Sequence, residues 1–315
     1  MEARESAADA PRFAVVIPAY NAARTIGKAL DSVLAQQWPA QEIIVVDDGS
    51  SDDTAEVVGR FGSRVSYLRQ ANAGPSVARN RGVAAASSEW IAFLDADDWY
   101  LPQRLRVHAE CIREHPVLDF LVASFDYVKP DGEVIGQSIA GTALGAALLE
   151  RAGPAGIAII DNEDIGRFIS DQFSDTRCLS LPRTTFMALG GFPEDLRICE
   201  DVAFMLRLCA RSRRAAVACQ SLATYSVHDQ GLIRSNRERA QRETVRALRT
   251  LAAEMAGAPV PVREAWKTLL KNALRNLAVY NFRQGERGRA ISSAVQACGI
   301  RPGFADLRFL LSVLR

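Results

Sequence analysis

The stretch Trp90-Ile91-Ala92-Phe93-Leu94-Asp95-Ala96-Asp97-Asp98-Trp99 passes abruptly from an apolar run to three carboxylates. Carboxylates this close repel one another unless a cation or a bound polar group neutralises them, and oxygen-only donors suit a hard ion such as Mg2+ or Mn2+. The competing reading is a solvated acidic turn ahead of the next helix. Two further acidic pairs stand beside other apolar segments: Asp47-Asp48 closes the run Ile43 to Val46, and Glu200-Asp201 precedes Phe204, Leu206 and Leu208. Acids in the first turn of a helix are favoured by its dipole alone.

What must position these groups is a set of strands. Ile91 to Leu94 is short and bounded by polar residues, so it reads as a buried strand with its acids at the carboxyl end, where open α/β sheets bind ligands. Phe13 to Ile17 is another apolar run, stopped by Pro18, and Ala19, Tyr20 and Asn21 form the loop beyond it. From Thr25 a helix places Ile26, Leu30, Val33 and Leu34 on one face, and Ile43 to Val46 is the next strand. Strand, helix and strand with short connections make a right-handed βαβ unit. Ser51 to Thr54 offers N-cap groups for a helix through Val58, Val65 to Leu68 is a third strand, and residues 70–82 turn helical near Pro75, carrying Arg79 and Arg81.

Three strand ends thereby bring Tyr20, Asp48 and Asp97 to one edge. An aromatic for a base, a carboxylate for base or ribose and a carboxylate for a metal are what a nucleoside diphosphate needs. No GxGxxG follows the first strand and no Walker-type GxxxxGK occurs, so neither a dinucleotide site nor a P-loop is supported. Without a phosphate-cradling glycine loop, a metal ion is the natural way to hold a diphosphate.

Beyond the fourth strand, His108 and His115 read as surface or helix-end histidines. Phe120 to Val128 is a strand expected to run antiparallel and to turn at Pro130-Asp131-Gly132. Thr142 to Cys178 shows no placeable pattern. Ala223 to Val227 reads as a strand leading to His228. Past Ser235 the chain is Arg-rich with helical period, and residues 276–302 resemble one tetratricopeptide-like hairpin, too little for a repeat array.

The 315 residues, 48% hydrophobic and 24% charged, are those of a globular chain. Charge is uneven: residues 1–203 carry 18 basic and 30 acidic side chains, residues 204–315 carry 20 and 7. A basic segment of that size attracts an anionic membrane, an acidic acceptor or nucleic acid, or is a solvated helical face. Six scattered cysteines without a CxxC pair point to reduced thiols. The best apolar run, 143–160, is interrupted by Glu150 and Arg151 and is no membrane span. The start, MEARESAADAP, lacks the apolar core of a secretory signal, so a cytoplasmic location is expected.

The strings VVIPAYNA (15–22), IIVVDDGSSDDT (43–54), NAGPSVARNRG (72–82), FLDADD (93–98) and GGFPEDLRICED (190–201) occur in the order seen in family 2 glycosyltransferases, the inverting enzymes of GT-A fold, and the resemblance covers about residues 12–230. It implies an α/β fold, a GT-A type Rossmann-like mixed sheet flanked by helices with a helical C-terminal extension. The expected parts are a flexible N-terminus (1–11), the GT-A domain (12–235) and an Arg-rich helical region (236–315). By the resemblance Pro18, Ala19, Tyr20 and Asn21 line the nucleotide, with Tyr20 packed on the base, and Asp48 contacts base or ribose. Arg79 lies near the nucleotide or pairs with the acidic edge. Asp95 and Ala96 contact sugar or ribose, and Asp97 binds Mn2+ or Mg2+. Asp201 is the general base, with Glu200 beside it. His228 reaches metal or diphosphate, although Asp229 to Ile233 replaces the serine-rich continuation often seen there.

The implied reaction moves a sugar from a nucleoside-diphosphate donor, UDP favoured, to a hydroxyl of a saccharide or lipid-linked saccharide, in cell-surface polysaccharide or glycolipid assembly. The basic region adds an anionic surface at the inner membrane face as a peripheral partner, and no nucleic acid is expected. A nucleotidyltransferase is the first rival, but PAYNAARTIG lacks its glycine- and lysine- or arginine-rich loop. A non-catalytic protein of the same fold is the second, and the acids at Asp97 and Asp201 weigh against it.

Overall fold

The computed structural model describes residues 10–129, 131–227 and 237–314. In chain order the first elements are β1 (Phe13–Ala19), α1 (Ile26–Leu34), β2 (Glu42–Asp47), α2 (Thr54–Gly59), β3 (Ser66–Arg69), α3 (Pro75–Ala85), β4 (Trp90–Phe93) and β5 (Trp99–Tyr100). Next come α4 (Arg104–Glu114), β6 (Phe120–Val128), β7 (Val134–Gln137), α5 (Ala143–Arg151), β8 (Ile157–Asp161), α6 (Asn162–Asp171), β9 (Ser180–Pro182), α7 (Arg183–Ala188), α8 (Glu200–Arg211) and β10 (Arg214–Ser226). The chain continues with helices α9 (Arg237–Thr250), α10 (Ala252–Ala256), α11 (Val260–Arg283), α12 (Arg287–Ile300) and α13 (Phe304–Leu314).

These elements divide into two compact units. One comprises Met1–Asp161, Asp171–Glu194 and Ser212–His228; the other comprises Asn162–Ser170, Asp195–Arg211 and Asp229–Arg315. The boundary expected between 235 and 236 falls outside the described residues.

The first unit is built on a ten-stranded sheet ordered β3-β2-β1-β4-β9-β6-β10-β5, with β7 on β6 and β8 on β10. Strands β1 to β4 are mutually parallel where they pair. Because β9 is antiparallel to both β4 and β6, β6 points the same way as β4, and β10 runs parallel to β6. The carboxyl ends of β1, β2, β3, β4, β6 and β10 therefore share one edge. Strands β1 and β4 are apolar throughout, with Phe13 to Ile17 and Ile91 to Phe93 fully buried, as expected of strands covered on both faces.

Three details differ from expectation. Strand β1 does not stop at Pro18 but continues to Ala19, with Pro18 in register with Val46. The Val16 carbonyl accepts from Leu94 N and so faces β4, and Pro18, two residues on, faces the same side beyond the end of β4. Its missing N–H costs no ladder bond there. Strand β6 is antiparallel to β7 but parallel to β10. His108 is not at the surface: it is fully buried on α4, its Nδ1 3.3 Å from an Arg104 guanidinium nitrogen. His115 does end its helix, as the residue following α4.

In the second unit α6 and α8 join the C-terminal helices. Gly166 of α6 lies where a Cβ would come 2.6 Å from the Pro261 carbonyl oxygen of α11, a close approach that only glycine allows. Helices α11 and α12 form the expected hairpin, turning at Gly285 with φ +78°, and Ala278, Ala290, Ala294 and Val313 make a small core with α13. Lys271 of α11 clamps α13 through Asp306 at 2.7 Å. No helix among the described residues is long and apolar enough to cross a membrane.

Candidate active site

At the shared edge, the loops after β1 and β2 are stitched together by short polar side chains. Asn21, in the left-handed region at φ 49°, donates its N–H to Ser50 Oγ at 2.9 Å and accepts from Ser51 N at 2.9 Å. Ala22 N donates to Thr54 Oγ1 at 2.8 Å and Ala23 N to Asp52 at 3.0 Å. This arrangement leaves Tyr20 standing out, 55% exposed, although aromatic. An exposed ring beside a rigid loop is a ready platform for a flat ligand.

Asp48 lies one residue beyond β2 and is buried. One oxygen accepts from Gln70 Nε2 and Ala73 N, each at 2.8 Å, and the other from Gly74 N at 2.7 Å. Its carboxylate thus shapes the loop that enters α3, with Gly74 at φ +98° ahead of Pro75. The neighbouring Asp47 points the other way, fully buried, accepting from Ser50 N at 2.7 Å and from the Tyr67 hydroxyl. Burial works against the ionised form of Asp47, but these bonds outweigh it and lower its pKa. Burial and the Asp47 carboxylate push the Tyr67 phenol up to about 12.

The three acids after β4 have different neighbours. Asp95 pairs with Arg79 of α3 at 2.7 Å, and the Arg79 guanidinium lies 5.3 Å from the Phe192 ring centre. Burial would raise the Asp95 carboxyl, but the Arg79 and Arg177 charges hold it below the usual carboxylate range. Asp98 is buried, taking Arg177 Nε–H at 2.6 Å and Ser226 N–H at 3.0 Å on its two oxygens. Burial pushes its carboxyl up to about 8 against the pull of Arg177. Asp97 lies between the two, half-buried, following the buried Ala96. Trp99, next in the chain, lies under the Lys28 ammonium, 3.0 Å from the ring centre.

Arg177 was not singled out by the sequence reading, yet it organises this corner. Besides Asp98 it binds Asp175 at 2.6 Å, and its guanidinium is stacked 4.8 Å from the Phe125 ring centre and 4.3 Å from that of Tyr225. Burial alone would discharge it, but the carboxylates of Asp175, Asp98 and Asp95 raise its pKa. Gln70 and Asn80 were missed as well. Asn80 fixes the segment around Phe192 by donating to the Phe192 carbonyl at 2.9 Å and accepting from Phe192 N at 2.8 Å.

Pro18, Ala19, Tyr20, Asn21, Asp48, Arg79, Asp95, Ala96 and Asp97 are thus gathered in the first unit. Glu200 and Asp201 open α8 in the second, where Asp201 accepts from Val202 N at 2.7 Å. They follow Cys199, held in the left-handed region at φ 68°. His228 lies outside the described residues. Among the described residues no three acids, histidines or cysteines stand close enough to hold a metal by themselves. The oxygen donor at Asp97 nevertheless fits Mg2+ or Mn2+, which take one or two carboxylates and complete their shell with substrate phosphates and water.

Residues 14–158 match the family model described as glycosyl transferase family 2. Over 94 residues the chain is 42% identical to the uncharacterized glycosyltransferase YibD of Escherichia coli K12, covering 29% of this chain and 27% of that protein. Over 98 residues it is 45% identical to the succinoglycan biosynthesis protein ExoO of Rhizobium meliloti, covering 30% and 28%. The matched segments thus span little more than a quarter of these curated relatives. Among solved structures, S. aureus TarS (1-349) in complex with UDP-GlcNAc superposes with a TM-score of 0.67 at 21% identity, over 92% of this chain and 82% of that one. The mannosyltransferase PcManGT of Pyrobaculum calidifontis, in complex with GDP-Man and Mn2+, gives a TM-score of 0.61 at 18% identity, over 96% and 79%. At these identities the likeness to solved structures is one of fold. Residues 14–158 are thus similar to glycosyl transferase family 2, and the fold of the chain is that of the GT-A structures on which it superposes.

Proposed function

We propose that the protein transfers a sugar from a nucleoside-diphosphate donor to an acceptor hydroxyl, with inversion at the anomeric carbon, in polysaccharide or glycolipid assembly. The observation that carries this reading is the convergence, on one sheet edge, of exposed Tyr20, the Asp48 cradle and the Asp95–Asp98 loop paired with Arg79. The nucleotide sugars bound to TarS and PcManGT and the naming of ExoO for polysaccharide synthesis support it.

In this mechanism Tyr20 stacks on the base and Asp48 orients base or ribose through the loop it holds. Asp95, kept ionised by Arg79, positions the sugar or ribose hydroxyls. Asp201 accepts the proton of the acceptor hydroxyl as its oxygen attacks the anomeric carbon in line and the bond to the diphosphate breaks. Glu200 lies beside it, and general-base assistance of this kind contributes roughly 10² to 10⁴ in rate. Asp97 would hold a divalent ion, which would supply positive charge to the departing diphosphate. His228 is the further candidate contact to metal or diphosphate.

Calorimetric titration with UDP, GDP and dTDP, each with Mn2+ and with chelator, tests the donor site. One nucleotide is expected to bind metal-dependently to the wild type and to lose that dependence in Asp97→Asn. Failure of all three to bind would overturn the reading. Asp201→Asn is expected to keep donor affinity while lowering turnover by roughly 10² to 10⁴; near wild-type turnover would remove Asp201 as the base.

A further inference from the structure

The basic C-terminal charge has no role in sugar transfer as described, and in the second unit part of it is gathered in one place. A groove of about 470 Å³ is lined by Arg242, Val245, Arg246, Arg249 and Thr250 of α9 and by Leu277 of α11. The three arginines follow one another at helical spacings of about four and three residues, which places them along one face. Each is exposed. Glu243 is 3.5 Å from Arg246, and Arg249 bonds the neutral amide of Gln296. Charge-assisted bonds of full strength are shorter, about 2.7 to 2.9 Å. Guanidinium groups carry five donors in a planar fork, the geometry that matches phosphate oxygens.

We propose that this groove binds the phosphate of an anionic lipid headgroup. The shared chemistry is a phosphate monoester or diester, and two features favour a lipid over a free phosphate as its source. Val245 and Leu277 give the groove an apolar side beside its cations. The same unit also presents Phe304, Leu307 and Leu311 on α13 at 75%, 54% and 49% exposure, one apolar stripe beside Arg308. A helical surface combining exposed large apolar residues with arginine suits the interface of an anionic bilayer. The groove shares no residue with the donor edge, so the nucleotide titration and the lipid test fail independently.

The experiment is co-sedimentation of the full chain with phosphatidylglycerol-containing and pure phosphatidylcholine vesicles at low salt. Three proteins are compared: wild type, Arg246→Gln/Arg249→Gln, and the equal-charge control Arg283→Gln/Arg287→Gln. Wild type is expected to bind the anionic vesicles only and to release them as salt rises. At roughly fivefold per arginine near the surface, the groove variant should lose about 25-fold in affinity and the control much less. Equal losses in both variants would reduce the attraction to diffuse charge and overturn the groove. Absence of vesicle binding, together with competition-sensitive binding of inorganic phosphate, would overturn the lipid source. An unchanged urea-unfolding midpoint in the groove variant confirms that the protein is folded.

Discussion

Arg177 shows how one residue can set the geometry of a site it does not itself line. Its guanidinium closes a short ion pair to Asp175 and a short hydrogen bond to Asp98, while two aromatic rings cover its faces. With Asp98 held on one side by Arg177 and Asp95 on the other by Arg79, the backbone that carries Asp97 is anchored at both neighbours. Removing Arg177 takes the counter-charge from Asp175 and the hydrogen-bond donor from buried Asp98, which costs about 3 to 5 kcal/mol. Arg177→Met is therefore expected to lower unfolding free energy by that order in urea titrations and to weaken metal-dependent nucleotide binding. Arg177→Lys, which keeps the charge but loses the fork, should recover part of the stability and less of the binding. If Arg177→Met bound nucleotide and Mn2+ as tightly as wild type, the positioning role would be gone. Nothing in the sequence marked this residue: its partner Asp98 is 79 positions away and it lies on a single 3-10 turn with no periodicity to read.

At the scale of elements, α3 is the part whose placement matters most to the donor edge, because it carries Arg79 to Asp95. It can lie so close to the sheet only at Gly82, where a Cβ would fall 2.4 Å from Val16 Cγ1 and 3.3 Å from Val46 Cγ2. Both valines are fully buried and β-branched, so neither can turn away cheaply. Gly82→Ala should destabilise by about 1 to 3 kcal/mol through overpacking. It should also weaken nucleotide binding, by lifting the helix that holds Arg79. A melting temperature within about a degree of wild type would show that the packing tolerates the methyl. The elements that build this edge were legible because β1, β2 and β4 are unbroken apolar runs ending in polar residues, and a glycine-proline pair announces α3. Strand β10 was read only over its last residues. Its register shifts between Ala218 and Ser221 and again before Ala223, and such bulges break the alternation from which a strand is recognised. Helix α5 escaped because its buried side offers only Leu144, Gly145 and Leu148, a thin stripe. Tyr20, Asp48 and Asp97 were singled out because they follow strands; Arg79, Asp95, Glu200 and Asp201 were singled out by motif alone.

For the whole molecule, the response of stability to pH is set by buried groups outside the residues of the donor edge as well as by those within it. His108 is buried beside Arg104, with its Nε2 lacking a hydrogen-bond partner among the described residues. Burial, reinforced by the Arg104 charge, lowers its pKa well below 6.5, so it folds as the neutral imidazole. Below about pH 6.5 the unfolded chain takes up a proton at this histidine that the folded chain refuses, and stability falls as pH falls. Asp98 acts in the opposite sense: with its carboxyl raised to about 8, the folded chain holds a proton there between roughly pH 4 and 8 that the unfolded chain releases, so stability falls as pH rises. The two contributions oppose each other between about pH 4 and 6.5, and the wild-type curve over that window reflects only their difference. The informative quantity is accordingly the difference between wild type and His108→Gln, which keeps an oxygen near Arg104 but cannot be protonated. Measured by urea unfolding from pH 7.5 to 5, the variant should gain on the wild type steadily as pH drops, by up to about 1.4 kcal/mol per pH unit below 6.5. Parallel curves would mean that His108 takes up its proton in the folded chain, and that the Arg104 cluster opens to water.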